Sequence, residues 1–203
     1  MHRAAAFLFI FLGVFGILYA QEDSTPDIET DWDLYSADLY VRGDQTFIIS
    51  LATVFPLMFI NNGELLENKV NPPVGGTGSL TYNYYLNSRF FVGGEVGGKF
   101  LPTLGKNTVF FICLGARGGT QFIAGRFEFP INLSIGMSWQ NLLNMGYYGL
   151  YTKAGAAAFF RATSEWSFGI TTQIGWFPQW TNDSKKNVDG FLLDTMLSAR
   201  YHF

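Results

Sequence analysis

The feature that most constrains this fold is a strict alternation of apolar and polar residues from Phe127 to Trp139. Phe, Ile, Leu, Met or Trp occupies every odd position, while Glu, Pro, Asn, Ser or Gly occupies every even one. Period two is the pattern of a β-strand, and this stretch is far longer than the five or six residues of an average strand. The alternation recurs from Trp166 to Trp176 and from Phe191 to Phe203. These stretches therefore predict long strands with one apolar face and one polar face.

Extended along the chain, the pattern predicts eight long strands joined alternately by tight and by longer connections. The predicted strands are 45–55, 76–87, 89–101, 107–122, 126–139, 147–161, 166–179 and 191–203. Transmembrane barrels have short periplasmic turns and longer outer loops, and lipid does not tolerate open sheet edges. We therefore expect an all-β fold, an eight-stranded antiparallel up-and-down transmembrane β-barrel with both termini in the periplasm.

Aromatic residues on the apolar face fall into two sets that are about ten residues apart in most strands. At about 3.3 Å per residue and a tilt near 40°, this separation is roughly 25 Å, the height of the apolar band between the aromatic girdles of a membrane barrel. One set is Phe47, Tyr84, Phe90, Phe122, Phe127, Phe160, Trp166, Tyr201 and Phe203; the other is Phe55, Phe100, Phe110, Trp139, Tyr148, Trp176 and Phe191. A soluble sandwich would bury its aromatics without sorting them into rings.

Composition excludes two other classes of protein. The chain is 48% hydrophobic and 14% charged, whereas soluble domains average about 25% charged residues. A disordered chain would be less hydrophobic and more charged. The net charge is −3 and the largest basic cluster is Lys185-Lys186, so a nucleic-acid partner is not expected.

The first twenty residues have the organisation of a secretory signal peptide. A short basic start at 1–3 precedes an apolar run at 4–18 and the small residue Ala20, after which we expect cleavage. A membrane anchor is the alternative, but the run is shorter than the roughly 20 residues of a spanning helix. Residues 1–20 are therefore interpreted as a signal peptide.

Residues 21–44 form an acidic periplasmic leader before the barrel of residues 45–203. The leader holds eight of the sixteen acidic residues and one base, Arg42. A solvated leader and an acidic interaction tail both fit this composition. Its last residues, up to Tyr40, are candidates to pack on the barrel.

The chain ends in a regular apolar motif: Thr195-x-Leu197-x-Ala199-x-Tyr201-x-Phe203. With the strands of residues 45–203, this ending resembles the small eight-stranded outer-membrane barrels of bacteria, the OmpA/OmpX/OmpW group. In those proteins it is the signal presented to the outer-membrane barrel assembly machinery. The stretches 43–47, 54–56 and 61–63 are similar to a spirochaete set of such barrels. The resemblance implies an outer-membrane location, with membrane lipids and the assembly machinery as partners.

The polar face of each strand is expected to line the barrel interior. Its charged residues are Glu95, Lys99, Arg117, Glu128, Lys153, Arg161, Asp194 and Arg200, with His202 beside them at the periplasmic rim. Basic groups outnumber acidic groups by five to three, and buried charges must pair. The set fits either a charged gate or anion path, or the packed interior of a closed barrel, because eight strands leave just enough room for side chains.

Towards the outer end of the barrel, the residues on the inward-facing side of the strands are apolar. The residues expected to form this outer vestibule are Leu101, Phe111, Tyr147, Tyr151, Phe177 and Leu192, with Val54 and Val109 beside them. The vestibule fits either a small hydrophobic solute, as proposed for the OmpW group, or packing against the barrel's own loops, above all 56–60. The sequence leaves both interpretations open.

Catalytic chemistry is not expected. The carboxylates are dispersed, the lone Cys113 is interpreted as a packing residue, and no metal-binding or cofactor motif is present. Two hypotheses on function remain. One is porin-like passage of small, hydrophobic solutes, supported by inward glycines (Gly93, Gly97, Gly115, Gly119, Gly155, Gly169 and Gly175). The other is a closed structural or surface-interaction barrel with the loop 181–190 as its contact.

Overall fold

The structure is a computed structural model and describes residues 40–61, 63–66, 74–102, 108–142, 145–179 and 187–203. The predicted signal peptide, residues 21–39 of the predicted leader and most of the loop 181–190 lie outside these ranges. Within them, none of the secondary structure is a helix long and apolar enough to cross a membrane.

The described residues form one antiparallel sheet of nine strands. The strands are β1 (Gln45–Asn61), β2 (Glu64–Leu66), β3 (Gly75–Tyr85), β4 (Phe90–Pro102), β5 (Thr108–Ala124), β6 (Phe127–Leu142), β7 (Met145–Arg161), β8 (Trp166–Gln179) and β9 (Val188–His202). Each long strand pairs with the next along the chain, and β1 also pairs with β9. The sheet therefore closes on itself, which confirms the predicted all-β, eight-stranded up-and-down barrel.

The closing seam between β1 and β9 runs from the pair Thr46–His202 to the pair Asn61–Val188. The end of the barrel that holds Tyr40 and Phe203 is called the terminal end, and the opposite end, which carries β2, is called the loop end. The connections described at the terminal end are short, at 86–89, 125–126 and 162–165.

The first strand is longer than the sequence predicts. We expect it to end at residue 55, but β1 continues through Pro56 to Asn61 and forms a hairpin with β2. The ladder between β1 and β9 shifts register between Pro56 and Met58, and an irregularity of this kind accommodates a residue that has no N–H. The other long strands begin and end within three residues of the predicted positions.

The faces of the barrel are inverted relative to a soluble protein. Large aliphatic side chains such as Leu51, Leu114 and Leu133 are about two-thirds exposed on the outside, whereas charged residues are buried inside. An apolar outer surface of this extent marks a membrane-facing wall.

The two predicted aromatic sets lie at opposite ends of this wall. At the terminal end the rings of Trp166 and Tyr201 have centroids 5.0 Å apart. Near the loop end Phe100 is the cross-strand partner of Phe110. The outer face therefore carries aromatic side chains near both rims.

Candidate functional site

The candidate site is the barrel interior, which three groups of side chains fill from one end to the other. At the terminal end Tyr40, Tyr85 and Phe91 form an apolar group, here called the terminal cluster. At the loop end a larger group is called the loop-end cluster: Val54, Leu101, Val109, Phe111, Cys113, Tyr151, Phe177 and Leu192. Charged side chains lie between and around these clusters.

A tight turn before β1 places Tyr40 in the interior. The carboxylate of Asp44 accepts a 2.9 Å hydrogen bond from the backbone N–H of Val41. Gly43 has a φ of +108°, a conformation that favours glycine, and its N–H donates to the carbonyl of Tyr85 at 3.0 Å. The turn directs Tyr40 back into the barrel, where it is only 2% exposed.

Polar and aromatic contacts hold Tyr40 in place. Its phenol donates a 2.6 Å hydrogen bond to Oε2 of Glu128, and Nδ1 of His202 lies 3.0 Å from the phenol oxygen. Its ring stacks on Tyr85 with centroids 4.0 Å apart. Burial raises the pKa of Tyr40 well above the ordinary tyrosine value, so the phenol is protonated and donates. The sequence predicts only that the last residues of the leader, up to Tyr40, are candidates to pack on the barrel.

Glu128 is the fully buried carboxylate beneath this tyrosine. Its Oε2 accepts a 2.6 Å hydrogen bond from Arg200, and its Oε1 lies 3.5 Å from a guanidinium nitrogen of Arg161. The Arg200 guanidinium also lies 3.7 Å from the centroid of the Phe159 ring. One carboxylate therefore serves two arginines and the phenol of Tyr40.

Two further ion pairs lie deeper in the barrel. Lys153 pairs with Glu95, which also accepts hydrogen bonds from Ser134 at 3.1 Å and from Tyr151 at 2.9 Å. Lys99 pairs with Asp194. All four charged side chains are at most 6% exposed.

Arg117 differs from the other predicted charged residues. Its side chain is buried, at 8% exposed, and its guanidinium lies 5.7 Å from the centroid of the Phe91 ring. Among the described residues no carboxylate lies within ion-pair distance of it. The structure thus brings seven of the eight predicted charges into ion pairs and leaves Arg117 outside them.

The residues predicted to line an outer vestibule are largely packed together. Leu101, Tyr151 and Leu192 are at most 1% exposed, and the rings of Phe111 and Phe177 meet edge to face at 5.5 Å. Phe59 of the β1 extension packs against this loop-end cluster. Tyr147 is half-buried and is not part of the cluster.

Aromatic side chains fill the space beside two of the inward glycines, Gly115 and Gly175. A Cβ on Gly115 would lie 2.3 Å from the Tyr151 hydroxyl, and one on Gly175 would lie 2.5 Å from the Phe177 ring. The sequence predicts that these two glycines line a passage, and in the structure an aromatic side chain lies beside each of them. They make room for the rings that occupy the interior.

The cavity described in the middle of the interior is small. Its volume is about 10 Å³, and it is lined by Arg117, Asn132, Arg200 and Asn83 among others. This is about the space that one water molecule needs.

Four residues of the predicted assembly signal lie on the outer face of β9, and the fifth, Phe203, directly follows the strand. Thr195 and Leu197 are exposed, Ala199 and Tyr201 are half-buried, and Phe203 is exposed. The Tyr201 ring contacts both Trp166, at 5.0 Å, and Phe203, at 5.8 Å. The ending therefore lies in the aromatic rim of the terminal end.

Metal binding has no evident site here: in the ranges that the structure covers, no three His, Cys, Asp or Glu side chains come together to hold an ion.

Comparisons with known proteins find one family model and one relative in Treponema pallidum. A protein-family model matches residues 23–201. An uncharacterized protein of Treponema pallidum is 30% identical over 145 residues, which are 70% of this chain and 62% of that protein. The chain thus spans less than two-thirds of the length of this relative.

Among solved structures, Neisserial surface protein A has a TM-score of 0.57 at 6% identity, over 79% of this chain and 97% of that one. The outer membrane protein OprG of Pseudomonas aeruginosa has a TM-score of 0.49 at 11% identity, over 81% of this chain and 97% of that one. The closed barrel, the membrane-facing wall and the match to Neisserial surface protein A show that the chain has the fold of the small eight-stranded outer-membrane β-barrels of bacteria, and it has a spirochaete relative.

Proposed function

We propose that this protein is a closed outer-membrane barrel that carries a contact surface at its loop end and does not conduct solutes. The observation that supports this is the packed interior, in which the terminal cluster and the loop-end cluster occupy opposite ends. An eight-stranded barrel encloses little more than its own side chains. The packing favours the closed-barrel hypothesis over porin-like passage of a small hydrophobic solute.

The loop end is the candidate contact surface, and in this proposal it faces the exterior while both termini face the periplasm. The short connections at the terminal end support that orientation, since membrane barrels have short periplasmic turns. The β1–β2 hairpin extends past the paired end of β3 and exposes Leu57, Met58 and Leu65, at 48%, 42% and 68%. Exposed apolar side chains on such a projection are typical of a protein-binding site.

We also propose that the ending of β9 is read by the barrel assembly machinery, as the resemblance implies. The lipid-facing aromatic Phe203 at the terminal rim supports this. Membrane lipids cover the remaining outer face.

Single-channel recording in planar lipid bilayers tests the absence of conduction. The purified protein should insert, as shown by a heat-dependent shift in gel mobility, and give no regular current steps. In vesicle swelling assays it should admit small solutes no faster than empty vesicles. Reproducible steps or solute entry would overturn the closed barrel and support passage.

The contact surface is tested separately with intact cells. Substitution of the exposed leucines, Leu57→Ser with Leu65→Ser, should reduce attachment of cells to protein-coated surfaces. The control is Leu133→Ser, which changes an equally exposed leucine on the membrane-facing wall. Equal binding by cells that carry each variant, at equal amounts of surface protein, would count against the hairpin as the contact.

A further inference from the structure

The interior of the barrel holds more buried positive than negative charge. The described interior has three carboxylates, those of Glu95, Glu128 and Asp194. Five basic side chains are buried with them: Lys99, Arg117, Lys153, Arg161 and Arg200. An uncompensated buried charge is costly, so this excess calls for a further negative charge. Tyr40 does not supply one, because burial raises its pKa and keeps the phenol neutral.

Arg117 carries one of the two excess charges, and the other is shared by Arg161 and Arg200, which pair with the single carboxylate of Glu128. Among the described residues Arg117 has no ion-pair partner, although its side chain is buried and only 8% exposed. Its Nε has no hydrogen-bond partner. The carboxylate of Glu95 attracts Arg117 from beyond ion-pair distance but is already paired with Lys153. The face of the Phe91 ring, 5.7 Å from the guanidinium, carries no full negative charge.

Arg117 lines the small central cavity together with other unsatisfied polar groups. Nδ2 and Oδ1 of Asn132, Nε of Arg200 and Oδ1 of Asn83 lack hydrogen-bond partners, and all of these residues border the cavity. Arg117 is paired across β5 and β6 with Ser134. Asn132 is two residues from Ser134 on the same face, a diagonal separation that long side chains span.

We propose that this cavity binds one small monovalent anion of halide size, held by the Nε–H of Arg117 and the side-chain amide of Asn132. Three N–H groups without partners, on Arg117, Asn132 and Arg200, border it. A cation would be repelled there, and a water molecule would satisfy the polar atoms but leave Arg117 without a counter-charge. A volume of about 10 Å³ excludes phosphate and carboxylates.

Refolding in different salts tests the site, because an enclosed ion must enter before the barrel closes. The full chain is unfolded in urea and refolded into detergent micelles in sodium bromide or in sodium gluconate at equal ionic strength. Gluconate is too large for the cavity. We expect a higher urea midpoint of unfolding in bromide, and an anomalous-scattering peak for bromide between Arg117 and Asn132 in crystals of the bromide form.

Two variants separate this site from a general effect of salt. Arg117→Gln should remove the bromide dependence, whereas Arg42→Gln, which changes an exposed arginine at the terminal end, should keep it. Asn132→Asp supplies the negative charge from the protein. This variant should be as stable in gluconate as the unmodified protein is in bromide, with no further gain from bromide.

Contrary results are equally clear. A cavity that holds water and gives no anomalous peak in the bromide crystals would overturn the proposal. So would equal bromide dependence in Arg117→Gln and Arg42→Gln. If Arg117→Gln does not refold, a bromide dependence that persists unchanged in Asn132→Asp would overturn it as well.

Discussion

The phenol of Tyr40 donates a 2.6 Å hydrogen bond to the carboxylate of Glu128, a residue 88 positions further along the chain. This bond ties the segment before β1 to the first residues of β6 inside the barrel. Since Arg200 lies within hydrogen-bond distance of both groups, the N-terminal segment, β6 and β9 meet at one point. A residue that precedes the barrel strands therefore lies inside the terminal end and links the two strands.

Removal of the Tyr40 hydroxyl should destabilise the barrel. Hydrogen bonds to charged groups contribute about 1.5–3 kcal/mol, so Tyr40→Phe should lower the free energy of unfolding by about that amount. Tyr40→Ala also removes the stacked ring and should cost about 3–5 kcal/mol. Urea unfolding in micelles, followed by tryptophan fluorescence, measures both values.

The matched control for this change is Tyr82→Phe. Tyr82 also donates through its hydroxyl, to Gln45 at 2.7 Å, but the bond is exposed. An exposed substitution of this kind should alter stability by no more than about 0.5 kcal/mol. Equal losses in Tyr40→Phe and Tyr82→Phe would contradict a specific role for the buried bond.

Neutralising Glu128 should have a larger effect. Glu128→Gln keeps the size of the side chain but leaves Arg161 and Arg200 buried without a carboxylate. Loss of one partner from a buried pair costs about 3–5 kcal/mol. The urea midpoint should fall accordingly, while Glu165→Gln, at an exposed turn, should leave it unchanged. A midpoint for Glu128→Gln close to that of Glu165→Gln would show that the pair is not stabilising.

The sequence predicted the barrel well because alternation acts strand by strand. Each membrane-crossing strand needs one lipid-facing and one interior face, so its pattern survives without knowledge of its neighbours. The end of β1 was not predictable in this way. After Pro56 the strand pairs with β9 and β2 instead of β3, and both of its faces are apolar.

How the interior is filled depends on packing between strands, which the alternation of apolar and polar residues does not encode. Alternation places Tyr151 and Phe177 inside, but it does not tell whether their rings line an opening or fill it. The answer lies in neighbouring glycines on other strands, such as Gly115 beside Tyr151. The position of Tyr40 was harder still to predict, because this residue precedes the first strand and belongs to no alternating pattern.

Filling the space beside Phe91 should destabilise the barrel. A Cβ on Gly119 would lie 2.2 Å from the carbonyl oxygen of Ile131 and 2.6 Å from the Phe91 ring. Overpacking of this kind costs about 1–3 kcal/mol, so Gly119→Ala should lower the urea midpoint. Gly94→Ala is the control, because its Cβ would meet its nearest atom at an ordinary 3.6 Å. Equal midpoints for the two variants would mean that the interior at Phe91 has spare room.

The last prediction concerns Phe203 and assembly in cells. Phe203 and Phe100 are both aromatic and lipid-facing, 57% and 52% exposed, so replacing either with Ala removes a comparable apolar contact with lipid. Because only Phe203 belongs to the proposed assembly signal, Phe203→Ala should reduce the amount of folded barrel in the outer membrane several-fold more than Phe100→Ala. The heat-dependent gel shift of isolated membranes measures that amount. The two purified variants should refold from urea with similar midpoints, which separates recognition by the machinery from stability. Equal amounts of folded barrel in cells would show that the terminal phenylalanine is not read.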